Sequence, residues 1–154
     1  MLTLAGRSYQ ADKDKLRRGV VRALANVPDE EENTAVAVAA GRGAVPFLNT
    51  LISCQAFLDE SNLLGEIPLL LASTLGYDVI TQLLVAEDVN LDARDDEGFT
   101  AVARAAQHGH VNVLNTLVAY ASVNTSNNYR QTTLIIAIEA GHSDAVRLLV
   151  GAGA

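Results

Sequence analysis

A segment of seven residues occurs twice in this chain, 66 positions apart, and this repetition constrains the fold more than any other feature. The two copies begin at Thr34 and Thr100 and differ only at their fifth residue. A related segment begins halfway between them at Ile67, and a fourth begins at Thr132, so the starts are 33, 33 and 32 residues apart. A fixed period of this length is typical of a chain built from stacked copies of one small unit.

Residues with special backbone or size requirements recur at fixed distances from each start. A glycine stands nine residues after the start, where it suits a helix end in the left-handed conformation. An alanine stands five residues after it, where a small side chain lets two helices approach closely. Asp or Asn stands five residues before it, where the side chain can bond to the backbone and set a turn. These residues are Gly43, Gly76, Gly109 and Gly141; Ala39, Ala72, Ala105 and Ala137; and Asp29, Asn62, Asp95 and Asn127.

Apolar residues after each glycine recur at spacings of three and four, which predicts a second helix with one apolar stripe. Each copy therefore predicts helix, turn, helix and polar loop. One such unit cannot bury its helices alone, whereas stacked units can. The sequence predicts an all-α helix–turn–helix repeat solenoid with repeats at about 29–61, 62–94, 95–126 and 127–154.

The period and the order T-x-L-x-x-A-x-x-x-G-H resemble the ankyrin repeat. Gly109-His110 and Gly141-His142 match its Gly-His pair, the segment 95–100 matches its D-x-x-G-x-T opening, and Val123-Asn124 matches its close. The resemblance covers residues 29–154 and implies long hairpin-like loops between the helix pairs.

The chain departs from that pattern in two places. In the Thr-Pro-Leu-His box only Pro68 keeps the proline, and no copy keeps the histidine. Glu32 and Arg130 stand where the family has a loop glycine. We therefore expect an array less stable than an idealised one, with fraying of its first and last units.

Residues 1–28 lie outside the repeats and are predicted to form an N-terminal capping segment. A helix over 12–26, with Asp12 as its N-cap, places Leu16, Val20, Val21 and Leu24 on one stripe. We interpret it as the second helix of a degenerate leading unit; the alternative is an amphipathic helix on a membrane surface. Its basic residues indicate either a solvated face or contact with an anionic surface.

Charge and composition limit the classes of function. Residues 1–27 hold six basic and two acidic residues, a net +4, whereas the remainder holds five basic and sixteen acidic residues, a net −11. An acidic body repels phosphate backbones, so we expect no nucleic-acid partner.

No membrane-spanning segment or signal peptide is predicted, and the single cysteine, Cys54, favours a reduced compartment, cytoplasmic or nuclear. Because the repeat pattern would continue beyond residue 154, we expect a fragment of a longer protein.

Catalytic and metal-binding signals are weak. His108 and His110 form half of a metal site, but His110 and His142 occupy the position of the structural histidine that the resemblance implies. The sequence supplies no base to activate Cys54 as a nucleophile. We therefore expect a non-enzymatic chain without catalytic residues, metal or cofactor.

The resemblance implies that a partner protein meets the concave face formed by the loop tips and the first helices. Carried over position by position, the binding residues are Glu30, Glu31, Asn33, Arg42, Leu63, Leu64, Glu66, Leu75, Arg94, Asp96, Glu97, Phe99, Gln107, His108, Asn128, Tyr129, Gln131 and Glu139.

This set combines large apolar groups with an acidic rim, which predicts a partner with an apolar anchor and basic flanks. The alternative is that Leu63 and Leu64 pack under the long loop before Gly65, and that Phe99 is also buried. We expect a monomeric protein–protein interaction scaffold. Two other functions remain open: a regulatory segment of a larger enzyme, receptor or channel that touches a neighbouring domain, and an enzyme or small-molecule binder.

Overall fold

The computed structural model describes residues 4–154, and over this range the chain forms nine helices without an extended sheet. The first helix, α1, covers Leu4–Ala25. The other eight form one pair in each predicted repeat: α2 (Ala35–Gly41) with α3 (Val45–Ser53), α4 (Pro68–Leu75) with α5 (Asp78–Val85), α6 (Ala101–His108) with α7 (Val111–Leu117), and α8 (Thr133–Glu139) with α9 (Ser143–Gly151).

The four helix pairs stack in chain order as two layers. The first helices, α2, α4, α6 and α8, pack side by side in an inner layer, and α3, α5, α7 and α9 do the same in an outer layer. Buried residues from all four repeats form one continuous core, so each unit is stabilised by its neighbours. The predicted all-α repeat solenoid is confirmed.

The recurring threonines begin the inner helices. The side chains of Thr34, Thr100 and Thr132 accept hydrogen bonds from the backbone N–H three residues later. Such an N-cap satisfies one of the amides that the first helical turn leaves unpaired. Helix α4 starts instead with Pro68 in its first turn, where the missing N–H of proline has no cost.

The recurring glycines end or follow the inner helices with positive φ, as predicted; Gly76 has φ 77° and Gly109 has φ 68°. Both also lie directly against a histidine of the next repeat. A Cβ atom at Gly76 would come within 2.6 Å of the His110 ring, and one at Gly109 within 2.5 Å of the His142 ring. These positions therefore require glycine for contact as well as for conformation.

The two histidines connect neighbouring repeats. The Nε2 atom of His110 lies 3.0 Å from the carbonyl oxygen of Thr74, and that of His142 lies 3.1 Å from the carbonyl oxygen of Gln107. Each ring thus pairs a carbonyl near the C-terminal end of the preceding inner helix, where carbonyl groups lack helical partners. These contacts agree with a structural role for both residues.

The recurring alanines lie in the core between inner helices, and Ala72, Ala105 and Ala137 are fully buried. Most outer-helix stripe residues are also buried or half-buried, including Leu48, Leu84 and Leu114. Two members of the stripes depart from this pattern, because Phe47 in the first repeat and Val150 in the last are exposed. Both lie at an end of the array.

Helix α1 differs from the helix predicted for the N-terminal segment. It begins at Leu4 rather than at Asp12, so Asp12 lies inside the helix and is not its N-cap. The stripe residues Leu16, Val20, Val21 and Leu24 are exposed rather than packed on the array. Among residues 10–25 of the helix, only Ala25, at its C-terminal end, joins the core. Within residues 4–154, none of the helices combines the length and apolarity needed to cross a membrane.

Candidate protein-interaction surface

The loop before each inner helix is held by one Asp or Asn side chain. In the second repeat, the side-chain oxygen of Asn62 accepts hydrogen bonds from the backbone N–H groups of Leu64 and Glu66, both at 3.0 Å. Equivalent pairs of bonds reach Asp29, Asp95 and Asn127. The turn predicted from these residues is therefore present in all four repeats, and it fixes the direction of the side chains at the tip.

Neighbouring loop tips are joined by backbone hydrogen bonds. The N–H groups of Leu63, Asp96 and Asn128 donate to the carbonyl oxygens of Glu31, Leu64 and Glu97, respectively, over 3.0–3.1 Å. The four tips consequently form one continuous row. We call its exposed side chains the tip surface; they belong to Glu30, Glu31, Leu63, Leu64, Asp96, Glu97, Asn128 and Tyr129.

Three large apolar or aromatic groups lie on the tip surface. Leu63, Leu64 and Tyr129 are each more than half exposed, and Leu75 at the end of α4 is 48% exposed. The alternative in which Leu63 and Leu64 pack beneath their own loop is therefore wrong. Exposed apolar groups next to one another are characteristic of binding surfaces because their contact with water is unfavourable.

Phe99 is not part of the exposed surface, and its prediction as an apolar anchor was wrong. The side chain is only 4% exposed and packs with Ala103 and Ile136 between the third and fourth repeats. The guanidinium carbon of Arg104 lies over the ring, 4.0 Å from its centroid. Phe99 thus supports the surface from below and does not offer an anchor to a partner.

Arg104 organises the third tip, although sequence reasoning did not select it. Its guanidinium group donates to Asp95 at 2.6 and 2.8 Å, to Glu97 at 2.6 Å and to Gln107 at 3.0 Å. Burial opposes the charged form, but the hydrogen bonds that Arg104 donates to Glu97 and Asp95 outweigh it and raise the pKa of Arg104 above its ordinary value. The available signal was that Arg104 replaces an apolar residue in an otherwise identical segment.

Acidic groups surround the apolar ones, as the sequence predicted. Glu30, Glu31, Asp96 and Glu139 are exposed, and Glu97 is exposed although it is paired with Arg104. Hydrogen bonds from backbone N–H groups, led by that of Asn33, lower the pKa of Asp29 at the base of the first tip. The surface is therefore acidic at neutral pH.

A shallow hollow of about 220 Å³ lies between the third and fourth repeats. The predicted residues Gln107, Gln131 and Glu139 line it, and Gln131 donates a hydrogen bond to Glu139 over 2.5 Å. Phe99 and Ile136 form part of its lining. The hollow combines an apolar lining with amide and carboxylate groups, which suits a side chain carrying both apolar and cationic atoms.

Two predicted residues have roles within the array. Arg94 donates to the carbonyl oxygens of Gly98 at 3.0 Å and Ser126 at 2.6 Å, so it ties the third and fourth loops together. The His108 ring is stacked on that of His110 with 5.9 Å between centroids. Partial burial, with smaller effects of neighbouring His110 and Arg104, lowers the pKa of His108.

The structure separates the eighteen predicted residues by exposure. Half-buried are Asn33, Glu66, Gln107 and Gln131; Phe99 is buried; and exposed are Glu30, Glu31, Arg42, Leu63, Leu64, Leu75, Arg94, Asp96, Glu97, His108, Asn128, Tyr129 and Glu139.

Among the residues that the structure describes, no group of three or more His, Cys, Asp or Glu side chains is placed to hold a metal ion. Cys54 is half-buried at the end of α3, beside Lys15, Arg18 and Arg22 of α1.

Comparison with known proteins finds ankyrin repeats in the second half of the chain. A family model described as ankyrin repeats (3 copies) matches residues 69–154. Mouse ankyrin repeat domain-containing protein 37 is 35% identical over 82 residues, which are 53% of this chain and 52% of that protein. Mouse ankyrin repeat and SAM domain-containing protein 6 is 33% identical over 89 residues, which are 55% of this chain and 10% of that protein.

A third similar protein matches over a longer part of this chain. A homolog of transient receptor potential cation channel subfamily A member 1 from Caenorhabditis elegans is 28% identical over 137 residues, 88% of this chain and 11% of that protein. The chain thus spans between about a tenth and about half of the length of these three relatives.

Proposed function

The chain belongs to the ankyrin repeat family, and on that premise we propose that it binds another protein through the tip surface and the adjoining inner helices. One observation carries this proposal: Leu63, Leu64 and Tyr129 are held exposed, on a row of tips fixed by turns and by backbone hydrogen bonds. A preformed surface loses little conformational entropy when a partner binds, which favours affinity.

The chemistry of the surface defines the partner we propose. It carries an apolar segment that covers Leu63, Leu64 and Leu75, flanked by Lys or Arg residues that meet the acidic rim. Complementary charge increases the association rate and selects against acidic partners. The same rim disfavours nucleic acid because it repels phosphate. A binding role rather than catalysis, and an intracellular location, cytoplasmic or nuclear, are parts of this proposal.

A second candidate is a regulatory segment of a larger protein that touches a neighbouring domain. It is favoured by relatives such as the channel homolog, in which the similar segment is only 11% of the protein. In that case the same surface would bind a segment of its own chain.

Affinity capture from cell lysate tests the proposed surface with two matched double variants. Leu64→Asp/Tyr129→Asp adds charge to the tips, whereas the control Val79→Asp/Tyr120→Asp adds it to exposed residues of α5 and of the loop after α7. Circular dichroism establishes that both remain folded. We expect a partner to be retained by the wild-type chain and the control and lost by the tip variant. Equal retention by both variants would contradict the proposed surface.

A further inference from the structure

The N-terminal face of the first repeat is open, although the same face is covered in every other repeat. Phe47 is 70% exposed, and Ala35 and Leu51 are also partly or largely accessible. The residues at the corresponding positions are all buried: Pro68, Ile80 and Leu84 in the second repeat, Ala101, Val113 and Leu117 in the third, and Thr133, Ala145 and Leu149 in the fourth.

The open face has the form of a groove rather than of a flat surface. A hollow of about 410 Å³ lies between α2 and α3, lined by Ala35, Val38, Phe47 and Leu51 together with Arg42 and Thr50. In the other repeats, helices of the preceding unit fill the equivalent space. The groove therefore has the shape and the apolar lining to receive a helix.

Helix α1 has an apolar stripe that its own array does not cover. Leu16, Val20 and Leu24 are spaced at four residues and are each more than half exposed. The side of α1 that faces α3 is basic instead, because Lys15, Arg18 and Arg22 line the gap beside the end of that helix. The stripe thus points away from the array that follows it in the chain.

The orientation of α1 is fixed at its C-terminal end. Ala25 is buried in the core, and the side-chain oxygen of Asn26 accepts a hydrogen bond from the N–H of Phe57 over 2.9 Å. Arg22 adds a cation–π contact, with 5.2 Å between its guanidinium carbon and the Phe57 ring centroid. While these contacts persist, α1 cannot place its stripe on the groove of its own chain.

Charge selects the occupant of the groove. Residues 1–27 carry a net +4, and the loop that leads into α2 presents consecutive acidic residues at 29–32. An anionic membrane would attract α1 but repel the remaining residues, which carry a net −11. A basic helix with an apolar stripe is complementary to an apolar groove that has an acidic loop at the end where α2 begins, and this chain supplies both.

We propose that the groove binds the α1 helix of a second copy of this chain. In the resulting dimer, each α1 lies across the α2–α3 groove of its partner, with its stripe on Phe47 and Leu51. The exchange is reciprocal, so the two contacts are related by a twofold axis and the assembly closes. This dimer replaces the monomer expected from the sequence. The apolar lining of the groove shares no residue with the tip surface, although the acidic residues Glu30 and Glu31 border both.

Sedimentation of this chain over a range of concentrations tests the dimer. The variants are Leu16→Asp in the stripe and Phe47→Asp in the groove, and the control is Leu64→Asp on the tip surface. All three residues are exposed, so circular dichroism should show intact folds. We expect a monomer–dimer equilibrium for the wild-type chain and the control. Leu16→Asp and Phe47→Asp should each raise the dissociation constant by roughly tenfold or more, because burial of a charge replaces burial of an apolar group.

Mixing the two variants distinguishes exchange from other pairings. A dimer of one Leu16→Asp chain with one Phe47→Asp chain keeps one intact helix-in-groove contact, whereas each variant alone keeps none. We therefore expect the mixture to dimerise more strongly than either variant alone. The proposal is overturned if the wild-type chain stays monomeric, if Phe47→Asp leaves the dimer unchanged, or if mixing restores nothing.

Discussion

At the scale of single residues, Arg104 does most to shape the third repeat. Its guanidinium group pairs with Asp95 and Glu97 and covers the ring of Phe99, so one side chain holds the loop, the tip and the core together. The Asp95 side chain is only 2% exposed, and that of Arg104 is 15% exposed. Solvent therefore screens this ion pair little, unlike the exposed pair of Arg147 with Asp144.

Replacing Arg104 by Met should destabilise the array by about 2–3 kcal/mol, because the buried Asp95 carboxylate loses its cation. Arg147→Met is the matched control and should cost less than about 0.5 kcal/mol, since both partners are exposed. Urea unfolding of both variants gives the comparison. Equal losses of unfolding free energy would contradict the role assigned to Arg104.

Arg130 has a left-handed backbone with φ 62°, at the position where the second and third repeats have Gly65 and Gly98. Because a Cβ atom is strained there, Arg130→Gly should stabilise the chain by about 0.5–1 kcal/mol, net of the greater freedom of glycine in the unfolded state. Arg130→Ala removes the same charge and keeps the strain, so its melting temperature should be close to that of the wild type. A melting temperature of the Gly variant no higher than that of the Ala variant would show that the strain is negligible.

His108 should make stability depend on pH. Its pKa is lowered in the folded state, so the unfolded chain takes up a proton at a higher pH than the folded one. Its contribution is therefore present above its unfolded pKa, near 6.5, and is lost as the pH falls through that value toward the folded pKa. Denaturant midpoints measured across this window should fall less for His108→Gln than for the wild-type chain. Parallel curves would exclude His108 as the source.

At the scale of helices and loops, recurring residues specify the array locally. The turn residues, the capping threonines and the glycines each act within a few positions of one start, so the sequence alone predicted where the inner helices begin and turn. Phe99 was misplaced because its burial depends on Arg104 of the following helix α6 and on Ile136 of the next repeat. Helix α1 was predicted correctly only in part, because the spacing of its apolar residues predicts a stripe but not which surface covers that stripe.

Thr132 offers a clean test of helix capping because it caps α8 and is exposed. Thr132→Val keeps the shape of the side chain but removes the acceptor, and it should cost about 1 kcal/mol. Thr132→Ser retains the hydroxyl group and should recover most of that loss. Thermal unfolding measures both, and a Ser variant as unstable as the Val variant would argue against the cap.

At the scale of the whole molecule, two distinct surfaces follow from one stack of repeats. Stacking buries the faces between units, fixes the tips in a row and leaves the first groove open. The resemblance to ankyrin repeats predicted the position and the acidity of the tip surface. The structure shows that one of the predicted apolar members, Phe99, is buried. The open groove and the outward stripe of α1 depend on how the N-terminal segment packs. This packing could not be predicted from the repeats, because the segment lies outside them.

The most direct test of the central claim is hydrogen–deuterium exchange of the full chain with and without the partner that the wild-type chain captures. If the tip surface binds it, exchange should slow at the tips, around 63–64, 96–97 and 128–129, and along α4, α6 and α8, with α5, α7 and α9 unchanged. Protection confined to the outer helices or to α1, with unchanged tips, would contradict the account.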